Sequence, residues 1–201
     1  ERKTAWAVPA WEGQPPEWAA NYNSAEANAE KIRKEFQSQE AEGLMMRMSL
    51  AEAQAKYGNK LTLAALGAIP KGDDRYHIIF DGTHWVLVNN RIRVRDRIRF
   101  PSFRDLCSYL AELDREGPLQ MSLLLDVSQA HRRVPIAEED WGLLGCRLTS
   151  SDEPETEIWL NKVGTFGVGS AGYWWGRVAA FIARATHYGL SYELAIWLLL
   201  Y

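Results

Sequence analysis

The sequence is poor in cysteine, and its net charge is small. Its 201 residues include two cysteines, Cys107 and Cys146, which show neither the spacing of a metal site nor a disulfide framework. We therefore expect an intracellular, reducing location, cytoplasmic or nuclear, with both cysteines in the core. The formal net charge of −3 argues against a protein that coats nucleic acid by bulk charge, although a local basic groove stays compatible with it.

Long apolar runs and paired metal ligands are also missing. The longest apolar stretch, "LAIWLLLY", covers residues 194–201 and falls well short of the roughly 18 residues of a membrane span, so we expect no membrane partner. No two histidines stand at metal-ligand spacing, which gives zinc chemistry little support. No nucleophile elbow is present for a serine or cysteine hydrolase. Because the chain starts at Glu1 and stops at Tyr201 inside an apolar run, we expect a segment of a longer polypeptide.

The residues that are present predict a folded α+β protein. A hydrophobic content of 47% is enough for a core, and helical segments alternate with strands joined mainly as hairpins. We predict an irregular arm over residues 1–20. The patterns predict helices at 24–42, 49–58, 102–117 and 173–189, and strands at 61–69, 76–82, 85–88, 140–148, 157–163 and 194–201.

The segment "NNRIRVRDRIRF" alternates charged and apolar residues. As an extended strand it would place five arginines on one face, where they would repel one another unless an anion such as a phosphate chain bound them. A solvated outer face of an antiparallel sheet is the alternative. Asp96 breaks the alternation and is expected to pair with an arginine or to mark an irregularity. The five arginines are Arg91, Arg93, Arg95, Arg97 and Arg99.

A carboxylate ends the apolar run "LLLD" of the segment "LLLDVSQAHRRVPI". Asp is unfavourable in strands, so Asp126 either caps the turn that follows or projects into a polar site that binds it.

A glycine-rich segment, "GVGSAG", matches the fingerprint of dinucleotide-binding proteins at Gly167, Gly169 and Gly172. The match favours an oxidoreductase as one alternative. Against it, bulky residues from Tyr173 onward follow the glycines, and no acidic residue ends the next predicted strand. No lysine of a phosphate-binding loop follows the glycines either.

Taken in order, four motifs resemble those of the reverse transcriptases of retroviruses and retrotransposons. "LLLDVSQAHRRVPI" is similar to their first palm motif, "TFGVGSAGYWWGRV" to their second, and "WLLLY" to the residues that precede and begin the "Y-x-D-D" motif. Upstream, "GAIPKGDDRYHIIFDGTHWVLVNN" resembles the fingers segment. The resemblance covers roughly residues 25–201.

The resemblance implies a fingers and palm fold and template-directed nucleotidyl transfer. It implies Asp126 as the catalytic carboxylate, binding two Mg²⁺ ions (Mn²⁺ as a substitute) together with the carbonyl of Val127. Its partners would be an RNA or DNA template with primer and deoxynucleoside triphosphates, and the oligomeric state is left open. The arginines of the alternating segment would contact the template. Nucleotide-binding residues would be Lys71, Arg75, His77, His131, Phe166 and Gly167.

The resemblance also implies a division of the chain and shows departures. The segments would be an arm (1–22), fingers (23–100), palm (101–135), a fingers hairpin (136–164) and palm again (165–201). His131 replaces the aromatic residue that excludes a ribose 2′-hydroxyl, His77 replaces a triphosphate-binding arginine, and Gly172 replaces a proline. A non-catalytic nucleic-acid-binding remnant of the same fold is therefore a further alternative.

Overall fold

A mixed, mostly antiparallel sheet forms the centre of the molecule. The computed structural model describes residues 17–72, 75–96, 102–112, 126–149 and 157–189. Within these ranges the strands are β1 (Met45–Ser49), β2 (Leu63–Gly72), β3 (Arg75–Asp81), β4 (Gly145–Arg147) and β5 (Glu157–Asn161). Their order in the sheet is β1-β5-β4-β2-β3, and the β2–β4 pair is parallel while the other pairs are antiparallel. The α+β prediction is confirmed, and so are the predicted hairpin pairing of β4 with β5 and the strands β2 and β3. The predicted strand 140–148 was wrong in its first half, because residues 140–144 belong to a 3-10 segment and β4 begins only at Gly145.

Helices flank the sheet and connect its strands. They are α1 (Asn23–Glu26), α2 (Ala29–Ala41), α3 (Leu50–Tyr57), α4 (Val88–Arg91), α5 (Phe103–Glu112) and α6 (Gly169–Gly189). Helix α3 begins with the predicted capping box, in which the Ser49 side chain accepts from the Glu52 N–H and the Glu52 side chain accepts from the Ser49 N–H. Short 3-10 segments cover Ala130–Arg133 and Glu138–Leu144. None of the helices in the described ranges has the length and apolar character of a membrane span.

The core lies where α2 packs on the sheet. Ile32 and Phe36, four residues apart on α2, are buried as the sequence predicts, and the Phe36 ring lies 5.4 Å from that of Trp159 on β5. Trp159 is fully buried. Because such rings bury large apolar areas, this contact ties α2 to the middle of the sheet. Cys146 on β4 is also buried, whereas Cys107 on α5 is exposed, so the prediction that both lie in the core was wrong for Cys107.

The predicted arginine strand is not a strand in the described residues. Leu87 adopts a left-handed conformation and α4 begins directly after it, so both "WVLV" and the start of the arginine segment leave the extended state. Residues 92–96 are irregular, since Ile92 turns inward to pack on the core. Arg91, Arg93 and Arg95 therefore do not share one strand face. Arg97 and Arg99 lie outside the described residues.

Asp96, which broke the alternation, pairs with an arginine as expected. Its partner is Arg177 on α6, at 3.5 Å between Oδ2 and Nη1. The pair joins the irregular segment to the middle of α6.

Further segments differ from the sequence prediction or fall outside the described residues. Helix α6 begins at Gly169 and not at residue 173 as predicted, so four of the six residues of the segment "GVGSAG" are helical. Asp126 and Val127 are exposed and irregular, and residues 113–125, which end in the three leucines before Asp126, lie outside the described ranges. Residues 1–16, which include most of the predicted arm, and the predicted last strand, 194–201, also lie outside the described ranges. The five-part division of the chain stays a prediction.

Candidate nucleotide-binding site

Three aromatic side chains from distant parts of the sequence meet at one place. The ring of Phe166 lies 5.7 Å from that of His77 on β3 and 5.1 Å from that of His131, measured between centroids, and both contacts are edge-to-face. Phe166 keeps 48% of its surface exposed. We call these three residues the Phe166 cluster. It presents an apolar ring flanked by two imidazoles, a combination that can contact a sugar or base while also donating hydrogen bonds.

Close backbone packing fixes Phe166 against β3. The Phe80 N–H donates to the Phe166 carbonyl at 3.1 Å. The next residue, Gly167, has φ +96°, and a Cβ at this position would lie 1.8 Å from the Phe80 carbonyl oxygen. Only glycine fits there without a backbone shift, because it lacks Cβ and tolerates positive φ. Packing against β3 therefore accounts for Gly167 without a dinucleotide.

One asparagine holds the turn between Phe166 and α6. The side chain of Asn89 donates to the Gly167 carbonyl at 2.6 Å and accepts from the Gly169 N–H at 2.7 Å. It thus provides an acceptor for an N–H group at the start of α6, which has no partner within the helix. Two of the three fingerprint glycines therefore contact Asn89 through their backbones. Sequence reasoning assigned no role to Asn89, because an asparagine next to a second asparagine is typical of any turn.

The backbone that follows His131 joins it to the chain that leads to Phe166. The Gly164 N–H donates to the Val134 carbonyl at 2.9 Å, and the Ile136 N–H donates to the Lys162 carbonyl at 2.9 Å. A Cβ on Gly164 would lie 2.7 Å from the His131 carbonyl oxygen. The close approach at Gly164 brings the two segments together, so that rings 35 positions apart in sequence can touch.

A buried arginine anchors the turn that carries His131. Arg132 is 8% exposed, and its guanidinium donates to Asn161 Oδ1 at 2.6 Å on β5 and to Gln39 Oε1 on α2. Burial lowers the pKa of Arg132 to about 10, so it stays charged at neutral pH. Asn161 in turn donates to the Leu144 carbonyl at 3.2 Å. The sequence gives no signal for this role, because an arginine within "HRRV" resembles an ordinary surface residue.

Asp81, at the end of β3, organises the loop next to the cluster. Its carboxylate accepts from the Tyr22 hydroxyl at 2.5 Å, from the N–H groups of Thr83 and His84 at 3.0 Å, and lies 2.7 Å from His84 Nδ1. Burial opposes its ionisation, but the hydrogen bonds from Tyr22 and His84 outweigh burial and keep the pKa of Asp81 below its ordinary value. The loop that follows β3 is therefore tied to a charged centre.

The remaining predicted nucleotide ligands lie on the β2–β3 hairpin. Lys71 is exposed near the end of β2, and Arg75, also exposed, begins β3. Because side chains alternate along a strand, Arg75 and His77 project from the same face of β3. Arg75 is thus on the side of the hairpin from which His77 contacts Phe166. No contact between Lys71 and the Phe166 cluster is found among the described residues.

Asp126 belongs to no cluster of three or more metal-binding side chains in the described part of the chain. It is exposed, five positions before His131, and Val127 beside it is exposed as well. Within the described ranges no group of three or more His, Cys, Asp or Glu side chains could hold a metal ion. One carboxylate does not fit a two-ion site by itself. Magnesium binding by Asp126 and Val127 therefore stays a prediction, and we derive no catalytic step through it.

Comparisons with known proteins do not name a family for this chain. No protein-family model matches it, and no curated protein gives a significant match.

Proposed function

We propose that this chain is the fingers and palm part of a reverse transcriptase-like polymerase, which adds deoxynucleotides to a primer on an RNA or DNA template. The observation that carries the proposal is the Phe166 cluster. The motif resemblance assigns His77, His131 and Phe166 to the nucleotide site independently, from three separate motifs. In the fold these three rings form one contact group, which a chance resemblance would not require.

The geometry suggests how the cluster would bind a nucleotide. Phe166 and His131 offer ring edges for the sugar, and His77 with Arg75 offers donors on one face of β3 for the phosphates. Asp126, close to His131 in sequence, would supply a carboxylate to the reacting end. Magnesium, when bound, would activate the primer hydroxyl and stabilise the leaving pyrophosphate.

The dinucleotide-binding alternative is weakened at one of its three glycines. Gly167 is explained by its close contact with the Phe80 backbone, whereas the hydrogen bond from the Gly169 N–H to Asn89 could be made by any residue with a backbone N–H. No observation favours an oxidoreductase over the polymerase. The non-catalytic remnant differs from the polymerase in activity alone, so an activity assay must separate them.

Primer extension tests the proposal. A polypeptide that continues through the native residues after Tyr201 should extend a primer with Mg²⁺ or Mn²⁺, whereas we expect no extension from residues 1–201 alone. Asp126→Asn in the longer polypeptide should abolish extension without altering the melting temperature. Asp140→Asn is the matched control, because the Asp140 carboxylate pairs with the Lys60 ammonium at 3.3 Å and not with a residue of the Phe166 cluster. Extension that survives Asp126→Asn would refute the catalytic role, and no extension from the longer chain would favour the remnant.

A further inference from the structure

We propose that Trp85 is a stacking platform for an unpaired base of single-stranded nucleic acid. This inference extends the proposed function, because it names a contact for the template strand, yet it rests on its own observations. Trp85 follows Asp81 by four residues and is 67% exposed. Its ring therefore offers a large open aromatic face on which a planar ligand can stack.

The backbone at Trp85 is strained. Its φ is +60°, and the Val86 N–H donates to the His84 carbonyl at 2.7 Å, an i to i+2 bond typical of a γ-turn with positive φ. Leu87, two residues on, also has positive φ, at +54°. Two such residues that are not glycine in three positions are uncommon and unfavourable, and strain of this kind concentrates at functional sites.

The strained turn is held rigidly from both sides. Val86 and Val88 are fully buried, so the chain is anchored in the core immediately after Trp85. Before it, the Asp81 carboxylate accepts the N–H groups of Thr83 and His84. The ring of Trp85 is thus presented outward from a fixed backbone, which reduces the entropy lost when a ligand stacks on it.

The same loop is linked to the Phe166 cluster. Asn89 donates to Thr83 Oγ1 at 2.8 Å as well as to the Gly167 carbonyl at 2.6 Å, so one side chain joins the Trp85 loop to the residue after Phe166. A base stacked on Trp85 would therefore lie at a fixed position relative to the proposed nucleotide site.

Charge favours nucleic acid as the occupant. Exposed arginines follow the loop at Arg93 and Arg95, while both carboxylates of the described segment 75–96 are already engaged. Asp81 binds Tyr22 and His84, and Asp96 pairs with Arg177. Aromatic rings combined with arginines are the recurring elements of single-strand binding, with stacking on the ring and phosphates on the cations. Because four arginines stand against two aspartates in the described segment 75–96, we take an anionic strand as the occupant.

The test is binding of a short fluorescein-labelled oligothymidylate by fluorescence anisotropy. Trp85→Ala should weaken binding about tenfold or more, and Trp85→Phe, which keeps an aromatic face, about threefold or less. Trp174→Ala is the matched control, because Trp174 is also an exposed tryptophan but lies on α6. Arg93→Gln and Arg95→Gln should each lower the salt slope by roughly 0.7.

Photo-crosslinking gives a second measurement that does not depend on variants. An oligonucleotide that carries iodouracil should crosslink to Trp85 in the unaltered protein. Unchanged binding by a folded Trp85→Ala variant, an equal loss in Trp174→Ala, or crosslinks confined to other residues would overturn the proposal. Failure of the wild-type chain to bind the oligonucleotide at low salt would also overturn the proposal and would favour a protein as the partner of Trp85.

The outcome can be separated from that of the proposed function. Nucleotide incorporation together with oligonucleotide binding that does not depend on Trp85 would remove the stacking platform alone. Binding through Trp85 by a protein that incorporates no nucleotide would remove the polymerase and leave the platform in place.

Discussion

Replacing Gly167 by alanine should destabilise the fold and disrupt the Phe166 cluster. The added Cβ would lie 1.8 Å from the Phe80 carbonyl oxygen and 2.9 Å from its carbon, and these are backbone atoms that cannot rotate away. Positive φ costs an L-residue about 1–2 kcal/mol, and overpacking a close contact costs about 1–3 kcal/mol more. We therefore expect a loss of about 3 kcal/mol, equivalent to a fall in melting temperature of about 6–12 °C for a domain of this size.

Gly172 supplies a control within the same glycine motif. It lies in α6, a methyl group added to it would meet no other atom within 4 Å, and it shows no positive φ. Gly172→Ala should therefore stabilise the protein by about 0.5–1 kcal/mol, because alanine has the higher helix propensity. Urea unfolding followed by circular dichroism measures both variants. A Gly167→Ala protein as stable as the wild type would refute the packing explanation of this glycine.

Three further predictions follow from the contacts around the cluster. Arg132→Met should destabilise the protein by about 1–3 kcal/mol in urea unfolding, since it leaves the buried Asn161 oxygen without its donor; unchanged stability would show that the anchor is dispensable. The pKa of Asp81 is lower in the folded protein than in the unfolded chain, so ionised Asp81 stabilises the fold. This contribution to the free energy of unfolding is fully present above the unfolded pKa of about 3.9 and is lost as the pH falls through the pKa of the folded state. Asp81→Asn should therefore flatten the dependence of the urea midpoint on pH between about pH 5 and pH 2, and an unaltered slope would contradict this. Because imidazole is smaller than a phenol ring, His131→Tyr in the longer polypeptide should discriminate better against ribonucleotides in single-nucleotide incorporation, and equal or poorer discrimination would remove the sugar-contact role.

Local patterns predicted most of the described elements. The capping pair Ser49 and Glu52 and the apolar pair Ile32 and Phe36 act within one helix, so their spacing alone is informative. The strands β2 and β3 were likewise recognisable from their β-rich composition. These features need no knowledge of the rest of the fold.

The arginine segment shows where local patterns fail. Its alternation predicted a strand, but Val88 is buried in the core, Ile92 packs against that core, and Leu87 is left-handed, so the chain forms a short helix and an irregular path instead. Tertiary packing overrides the two-residue period there, because a pattern cannot show which apolar residues the core will accept.

The candidate site was predictable only in part. The residues of the Phe166 cluster could be proposed from the motifs, whereas Arg132 and Asn89, which hold its segments, could not. Both act through contacts with residues that are distant in sequence, Asn161 for one and Gly167 for the other. An arginine and an asparagine in polar stretches carry no local sign of such contacts.

Titration of the chain with a deoxynucleoside triphosphate and Mg²⁺, followed by NMR of the histidine side chains, tests the central claim most directly. If the Phe166 cluster is one nucleotide-binding surface, the imidazole signals of His77 and His131 should shift together with a single apparent Kd. Phe166→Ala should weaken both responses equally, because both rings contact Phe166. The signal of His84, which is held by Asp81, serves as the internal reference. Shifts at neither His77 nor His131, or shifts at both that persist unchanged in a folded Phe166→Ala variant, would contradict the account.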